Sequence, residues 1–431
     1  MFPSDMTKQP SDVYSSFRLL YLISKILGLA PFKYGRIPSD TSIRKFLRNI
    51  YNGAVLLLVL GWFVSSITCD SLKVYSKESS TYIIPIVSQI STIFGATITS
   101  LIVCHRGTLQ RVCTKLLLVD RVLMVPPQIH RKTGWIMSAE ILIVFSALGI
   151  MHFFDMNGRE NYILILQFAG WILSSYINIT VLLQFVNCVR ILKDRFKILN
   201  SQLSEMLIPH FEEDGLNSYL LSLQTSGRLS LSVDNHFGLA PTDQSASLSQ
   251  HTSRTKSTAR TSDSHASEIN ALRLTYSMLY DLTQNVNSDY GIQILLEMAH
   301  SFISLVMSMY VAMTSKADPR LTECDEVACV RVITNFSLAT ICSLKFIFIA
   351  ASCHAASDEM IRTPLLVQKL LSPRSLGAET ITELQSFSQM LNNVSTQYTA
   401  SGFFTLNLNL LSSIAAAATT YIVILIQMSP Q

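Results

Sequence analysis

The chain has 431 residues, of which 49 % are hydrophobic and only 14 % charged, with a net charge of +4. Soluble domains carry about 25 % charged residues, so the apolar residues of this chain must be clustered. The composition excludes a disordered protein, which needs low hydrophobicity, and 8 cysteines are too few for a disulfide scaffold. The small net charge gives no reason to expect nucleic acid as a partner. Clustered apolar residues separated by polar loops predict a membrane protein.

Seven apolar stretches are long enough to cross a bilayer as helices, since a crossing needs about 20 residues. Within lipid a helix satisfies all of its own backbone hydrogen bonds. The fourth stretch has no charged residue over 162–189, and the seventh has none over 403–427. We therefore predict an all-α membrane protein with seven transmembrane helices, at 49–69, 82–104, 133–156, 162–187, 291–315, 330–353 and 403–427.

Lysine and arginine are distributed unequally between the predicted loops. The loops on the side of the N-terminus carry 26 of these residues, and the loops on the other side carry 5. Because basic loops stay in the cytoplasm, we expect the N-terminus inside and the C-terminus outside. The first 16 residues are polar, and the first long apolar run follows Arg44, Lys45 and Arg48. We expect no cleavable signal peptide, so that the first span directs its own insertion.

The polar segments add helices on the cytoplasmic side. Residues 17–32 are predicted to form an amphipathic helix that lies on the inner membrane face, and 107–125 a second helix. In 241–267, 13 of 27 residues are Ser or Thr, which is typical of disorder. The expected organisation is a cytoplasmic N-terminal segment 1–48, spans one to four in 49–210, a disordered insert 211–267, and spans five to seven in 268–431.

Motifs of enzymes are missing from the sequence. There is no HExxH, GxSxG, P-loop or dinucleotide-binding pattern, and the nine His residues have no metal-ligand spacing. We therefore expect neither an enzyme nor a bound metal or cofactor. Cys69, Cys324 and Cys329 fall near the predicted outer face, where one disulfide, such as Cys324–Cys329, and three free thiols are both compatible with the sequence.

Three charged residues lie inside predicted spans, where an unpaired charge is costly. They are Glu140, Glu297 and Lys345, all in the inner halves of their spans. Lys345 is at a depth that suits an ion pair with either Glu297 or Glu140. We expect a pair that holds the helices together, with a role in gating as the alternative.

The outer halves of the spans carry polar and aromatic residues, which suits a pocket for a small molecule between helices. His152 is also in this half, without a partner at metal-ligand spacing. The ligand-binding candidates are Gln89, Gln167, Trp171, Ser304, Tyr310, Asn335 and Thr340.

The seventh span differs from the others because it contains small residues, Ala415 to Ala418, that allow close helix packing. At helical spacing, one face of this span carries both apolar residues and an amide. A ring of such faces from several subunits would form a narrow, mostly apolar conduit, which can gate by dewetting. The residues predicted for this pore or gate are Thr420, Tyr421, Ile424, Gln427 and Met428.

The end of the chain resembles the terminal signature of insect gustatory receptors, Thr-Tyr, five apolar residues, Gln-Phe. Here it reads Thr420-Tyr421, five residues and Gln427, with Gly402 and Leu410-Leu411 upstream. Residues 21–32, YLISKILGLAPF, are similar to the start of fructose-receptor-like members and of related moth and butterfly receptors. Cys353-His354 at the end of the sixth span also matches that family.

The resemblance implies a tetrameric, ligand-gated, non-selective channel for Na⁺, K⁺ and Ca²⁺ in the plasma membrane of a taste neuron, as a homotetramer or with other gustatory receptors. It implies that the last helix lines the pore, with Gln427 and Met428, which replaces the usual Phe, at the gate. It also implies a tastant pocket in the outer half of each subunit, for a sugar such as fructose or a bitter plant compound. Residues 333–338 lack the Trp and His of fructose-type members, which weakens the sugar assignment.

Two other classes of protein have seven or so spans. A G-protein-coupled receptor needs an extracellular N-terminus, which opposes the distribution of Lys and Arg. A secondary transporter commonly shows repeated halves and broken helices, and this sequence shows no internal repeat.

Overall fold

The structure is a computed structural model that describes residues 13–30, 42–68, 80–106, 108–156, 162–228, 250–314, 326–372 and 377–428. These residues form eleven α-helices and no β-strand, apart from one isolated antiparallel bridge between Thr399 and Thr405. The helices are α1 Val13–Ser16, α2 Arg18–Ile26, α3 Ser42–Thr68, α4 Ser80–Arg106, α5 Thr108–Val122, α6 Pro127–Met156, α7 Tyr162–Arg228, α8 Gln250–Thr314, α9 Glu326–Leu371, α10 Ala378–Leu391 and α11 Asn409–Met428.

The predicted all-α fold with seven apolar helices is confirmed. Five described helices, within α6, α7, α8, α9 and α11, are long and apolar enough to cross a membrane. Shorter apolar segments lie in α3, at Ile50–Ser65, and in α4, at Gln89–Ile102. Together these seven helices correspond one to one with the predicted spans. Which side of the membrane each terminus occupies stays a prediction.

Several helix ends differ from the predicted spans. The helix of the sixth span continues to Leu371, well beyond residue 353, and includes Pro364. The last helix begins at Asn409 rather than at residue 403, because a tight turn occupies the residues before it. Helices α7 and α8 extend into the segment for which composition predicted disorder, α7 to Arg228 and α8 from Gln250. Residues 229–249 lie outside the described part, as does Cys324, whereas Cys329 is a free, exposed thiol.

The chain divides into two compact units, and three helices contribute to both of them. The first unit comprises the described residues within Met1–Leu192, Asp281–Ala356 and Gln397–Gln431. The second comprises those within Lys193–Tyr280 and Ser357–Thr396. The apolar segments of the other spans and the last helix belong to the first unit.

The second unit has an aromatic core and a buried polar contact. The ring of Tyr276 lies 5.5 Å from that of Phe196 and 5.8 Å from that of Phe387. The Nδ2 atom of Asn200 donates to the backbone oxygen of Glu359 at 2.8 Å, and the hydroxyl of Thr363 donates to Oδ1 of Asn200 at 2.7 Å. These contacts join helices α7, α8, α9 and α10 within this unit.

The amphipathic N-terminal helix packs on the helices of the first unit rather than standing apart from them. It is shorter than predicted, because Gly28, with φ of +72°, ends α2 in a Schellman motif. The buried hydroxyl of Ser24 accepts a hydrogen bond from Gln184 Nε2 at 2.7 Å. Oε1 of the same Gln184 side chain accepts from the Tyr290 hydroxyl at 3.1 Å. A chain of hydrogen bonds therefore ties α2 to α7 and α8.

A tight hairpin precedes the last helix and is held by α8. It turns at Ser401 and Gly402, whose φ values are +50° and +79°. The side chain of Asn287 binds Thr399 twice: its Oδ1 accepts from the Thr399 amide at 2.9 Å and its Nδ2 donates to Oγ1 at 3.3 Å. One turn further along α8, Gly291 leaves space for the hairpin. Asn287 and Gly291 thus form a seat that fixes where the last helix begins.

We expect Gly291→Ala to lower the midpoint of thermal unfolding of the purified chain. A Cβ atom at this position would lie 3.0 Å from Ser401 Oγ and 3.1 Å from its backbone nitrogen. Overpacking of this kind costs about 1–3 kcal/mol, more than the roughly 0.5–1 kcal/mol that Ala gains over Gly in a helix. Gly53→Ala is the control, because no atom lies within 4 Å of the Cβ position there, and it should not lower the midpoint. Equal midpoints for the two variants would contradict the seat.

Candidate ligand site, buried charges and last helix

A polar cluster in the first unit is centred on His300 of α8. Ser91 Oγ of α4 lies 2.9 Å from His300 Nδ1, and Thr92 Oγ1 lies 3.3 Å from Nε2. Ser304, one turn along α8, is 3.4 Å from Nδ1. The indole nitrogen of Trp171 donates to Thr92 Oγ1 at 3.2 Å, so that α7 joins the cluster. Three hydroxyl groups from α4 and α8 therefore contact one imidazole, and Trp171 of α7 is linked to it through Thr92.

Aromatic rings form one wall beside this polar cluster. The His152 ring of α6 meets the Trp171 ring edge to face, with centroids 4.7 Å apart. The Phe168 ring lies 5.1 Å from Trp171, and the Tyr176 ring lies 6.1 Å from His152. Such a combination of aromatic surface and a few fixed polar groups is typical of small-molecule sites. We call these residues, together with Ser91, Thr92, His300 and Ser304, the candidate ligand site.

His152 is exceptional within the candidate ligand site. Its side chain is buried, and neither ring nitrogen has a hydrogen-bond partner in the described part of the chain. A buried polar atom without a partner is costly, and ligand or water is the usual explanation. The sequence placed His152 in the outer half of a span, but only the structure places it against Trp171.

The predicted ligand-binding residues do not lie together in the structure. Trp171 and Ser304 belong to the candidate ligand site. Tyr310 is buried and packs with Val311 against Leu425 of the last helix. Thr340 is exposed and donates to the backbone of its own helix, at Phe336. Gln89 and Asn335 are half-buried on α4 and α9, and the side chain of Gln167 lies outside the described part.

The buried charges form two ion pairs. Lys345 Nζ lies 2.6 Å from Glu297 Oε1, which is the first of the two pairings that the sequence left open. Glu140 pairs instead with Arg190, through contacts of 2.8 and 3.3 Å to its two oxygens. The Arg190 guanidinium also lies over the ring of Phe348, 5.6 Å from its centre. Arg190 lies beyond the predicted end of the fourth span at residue 187, so the sequence did not predict its pairing with Glu140.

The last helix is the least covered of the long apolar helices. In the most apolar 18-residue stretch of α11, 6 % of the residues are buried, compared with 78 % in the corresponding stretch of α7. Thr420, Tyr421, Ile424 and Gln427 are exposed, and the side chain of Met428 lies outside the described part. Tyr421 contacts α8 at one edge, with its ring 6.0 Å from that of Phe302. One face of α11 therefore packs on α8 while the predicted pore face stays open.

Metal binding finds no support in the described residues, where no group of three or more His, Cys, Asp or Glu side chains is placed to hold an ion. The described residues thus define an all-α protein with several helices long and apolar enough to cross a membrane and a compact aromatic and polar site between helices.

Comparison with known proteins identifies the family. The family model described as 7tm Chemosensory receptor matches residues 17–431, so the chain belongs to this family of insect gustatory and olfactory receptors. The resemblance predicted from the terminal motif is thereby confirmed. This is a family of receptors rather than of enzymes, in agreement with the missing enzyme motifs.

Individual relatives agree with the family. A Drosophila melanogaster protein described as gustatory receptor 28b is 26 % identical over 153 residues, which cover 35 % of this chain and 32 % of that protein. The match therefore spans about a third of that relative. The olfactory receptor OR5 of Machilis hrabei is similar in fold over 97 % of this chain and 100 % of its own. Its TM-score is 0.63 at 14 % identity for the receptor alone, and 0.61 at 13 % identity in complex with eugenol.

We expect Lys345→Met to destabilise the chain strongly, because it leaves the Glu297 carboxylate buried without its counter-ion. Breaking a buried ion pair costs about 3–5 kcal/mol. Adding Glu297→Gln removes the stranded charge, so the double variant should recover most of the thermal midpoint. Lys369→Met, at an exposed lysine of the same helix, is the control and should change little. A double variant as unstable as Lys345→Met alone would show that the pair is not the cause.

Proposed function

We propose that the chain is one subunit of a ligand-gated, non-selective cation channel that detects small taste molecules. The observation that carries this proposal is the exposed face of α11. It presents Thr420 and Gln427, seven residues apart and thus on one side, and the residues from Ile422 to Ile426 between them are all apolar. An amide that faces lipid is costly, whereas one that faces water or another subunit is not. An open face of this kind suits a pore built from several copies of α11.

The assembly proposed for this channel, from the resemblance to gustatory receptors, is a homotetramer or a heteromer with other gustatory receptors, with Na⁺, K⁺ and Ca²⁺ as the permeating ions. The small residues Ala415 to Ala418 favour close approach of neighbouring helices. Gln427 and Met428 would form the gate, with the C-terminus outside. The proposed location is the plasma membrane, in the dendrite of a gustatory neuron.

The ligand proposed for this channel is a ring-bearing, largely apolar tastant, and we favour a bitter plant compound over a sugar. Trp171, Phe168 and Tyr176 offer flat apolar surface, and His152 offers a hydrogen-bonding atom without a partner. A sugar would need many polar partners, whereas the hydroxyls and imidazole here already bind one another. The similar fold of a receptor solved with eugenol, an aromatic molecule, supports the same class.

Two alternatives remain as outcomes of experiment. A G-protein-coupled receptor would place the N-terminus outside, so accessibility of a tag at each end distinguishes it from a channel. A transporter would accumulate its substrate without a gated current. Likeness to an insect olfactory receptor over nearly the whole chain favours the channel over both.

The ligand site is tested by Ca²⁺ entry into cells that express this chain alone, with a panel of eugenol, aromatic alkaloids and fructose. For a compound that opens the channel, we expect Trp171→Ala and His152→Leu to raise the half-maximal concentration at least tenfold, because each removes direct contacts. Ser138→Ala should leave it unchanged, since that hydroxyl binds only the backbone of its own helix in the described contacts. Unaltered responses in both site variants would place the ligand elsewhere, and a response to fructose alone would reverse the preferred class.

The gate is tested by Met428→Ala, which shortens the apolar side chain at the proposed constriction. We expect a larger ligand-free current, because a wider apolar ring stays wet more readily. Ile422→Ala removes a similar volume on the opposite side of α11 and should leave the basal current unchanged. Basal and evoked currents that match the parent in Met428→Ala would contradict a gate at this end of the helix.

A further inference from the structure

A small cavity lies between α4, α7 and α8, apart from the aromatic wall of the candidate ligand site. Its volume of about 10 Å³ matches a single water molecule. Four of its lining side chains are polar, namely Thr99, Asn178, Gln293 and Glu297. Apolar cavities of this size stay dry, whereas polar ones usually hold ordered water.

Two oxygens at this cavity have no hydrogen-bond partner among the residues that the structure describes. They are Gln293 Oε1 and Glu297 Oε2, on side chains that are only 4 % and 6 % exposed. The other carboxylate oxygen of Glu297 is fully used, since it accepts from Lys345 at 2.6 Å and from Ser301 at 3.4 Å. Buried acceptors are nearly always satisfied, so these two oxygens require a donor that the chain does not supply.

The two oxygens are placed to share one donor. Gln293 and Glu297 are four residues apart on α8, so their side chains are neighbours on one face of the helix. Both line the same cavity. One small molecule in the cavity with two donor hydrogens would therefore lie beside both side chains.

The charge at the cavity decides which guest fits. Lys345 already neutralises Glu297, and a second cation would leave a net positive charge buried among helices. A neutral donor carries no such cost. We propose that the cavity binds one water molecule, which donates its two hydrogens to Gln293 Oε1 and Glu297 Oε2.

The proposed water joins the ion pair to the candidate ligand site. Asn178, which lines the cavity, donates through Nδ2 to the backbone oxygen of Thr92 at 3.1 Å. Thr92 in turn accepts from Trp171 and contacts His300. The water thus completes a polar connection from Lys345 through Glu297 and the cavity to the base of the ligand site.

Gln293→Met tests the proposal by the sign of its effect on the thermal midpoint of the full chain. Met matches Gln in length and helix propensity but has no strong acceptor. If the oxygen lacks a partner, removing it stabilises the chain; if it binds water, removing it destabilises the chain. We expect a lower midpoint. A higher midpoint would overturn the proposal whatever the other variants show.

Gly95→Ala tests the cavity itself. Gly95 lines it, and the nearest atom to an added Cβ is Asn178 Nδ2 at 3.4 Å, an ordinary contact. Filling an empty cavity would raise the midpoint, while displacing a bound water should lower it. Gly61→Ala, where no atom lies within 4 Å, is the matched control for helix propensity. A rise in Gly95→Ala equal to or larger than that in Gly61→Ala would show the cavity to be empty.

The double variant Gly95→Ala/Gln293→Met provides a second test, through the direction in which its midpoint changes relative to Gly95→Ala. Once Gly95→Ala has displaced the water, Gln293 Oε1 is orphaned, so adding Gln293→Met should then raise the midpoint. A further fall in the double variant would contradict a shared guest.

The identity of the molecule in the cavity is tested by measuring the thermal midpoint with Na⁺ replaced by choline. The parent midpoint should not change, and a high-resolution density map should contain one peak in the parent and none in Gly95→Ala. A midpoint that rises with Na⁺ in the parent but not in Gly95→Ala would identify a cation and overturn the assignment to water.

Discussion

Inside a bilayer a polar side chain has no bulk water to bind, so its partners must be found among the helices, and this constraint organises the first unit. Its polar groups lie on the facing sides of α4, α7 and α8, where Thr92, Trp171 and His300 meet. The charged groups follow the same rule, with Glu297 against Lys345 and Glu140 against Arg190. Polar contacts thus fix how these helices are rotated, which the apolar contacts alone would not do.

Helix α8 carries most of these contacts in the first unit. Along its length it holds the hairpin before the last helix, then the ion pair, then His300 of the candidate ligand site, and finally Tyr310 against Leu425. A displacement of α8 therefore acts on the last helix at both of its ends. This arrangement gives a ligand near His300 a direct structural route to the proposed gate.

The sequence predicted the parts of this structure that depend on single segments. Long apolar runs and their lengths identified seven helices, because lipid allows few other solutions. The start of α11 was placed too early, because Phe403 and Phe404 continue the apolar run although Ser401 and Gly402 form a turn. Hydropathy records composition and does not detect a hairpin that is held by a distant residue such as Asn287.

Contacts between segments were harder to predict. Equal depth limited the partner of Lys345 to Glu297 or Glu140, since few charges compete within the membrane, and the structure shows that it is Glu297. Arg190 was missed because it follows the predicted end of the fourth span at residue 187 and precedes Lys193 and Lys197, whereas the helix continues to Arg228. The sequence predicted Trp171 and Ser304 as ligand-binding candidates. It did not predict Thr92 and His300, which connect them, because no motif or spacing distinguishes these two residues from their neighbours.

The open face of α11 has a genetic consequence. In the proposed channel, a subunit with an altered pore face would still fold around its own α8 contacts and would enter assemblies with normal subunits. Every mixed assembly would then contain a defective conduit. Alleles that change this face should therefore be dominant, whereas alleles that disrupt the buried ion pairs should remove the subunit before assembly and be recessive.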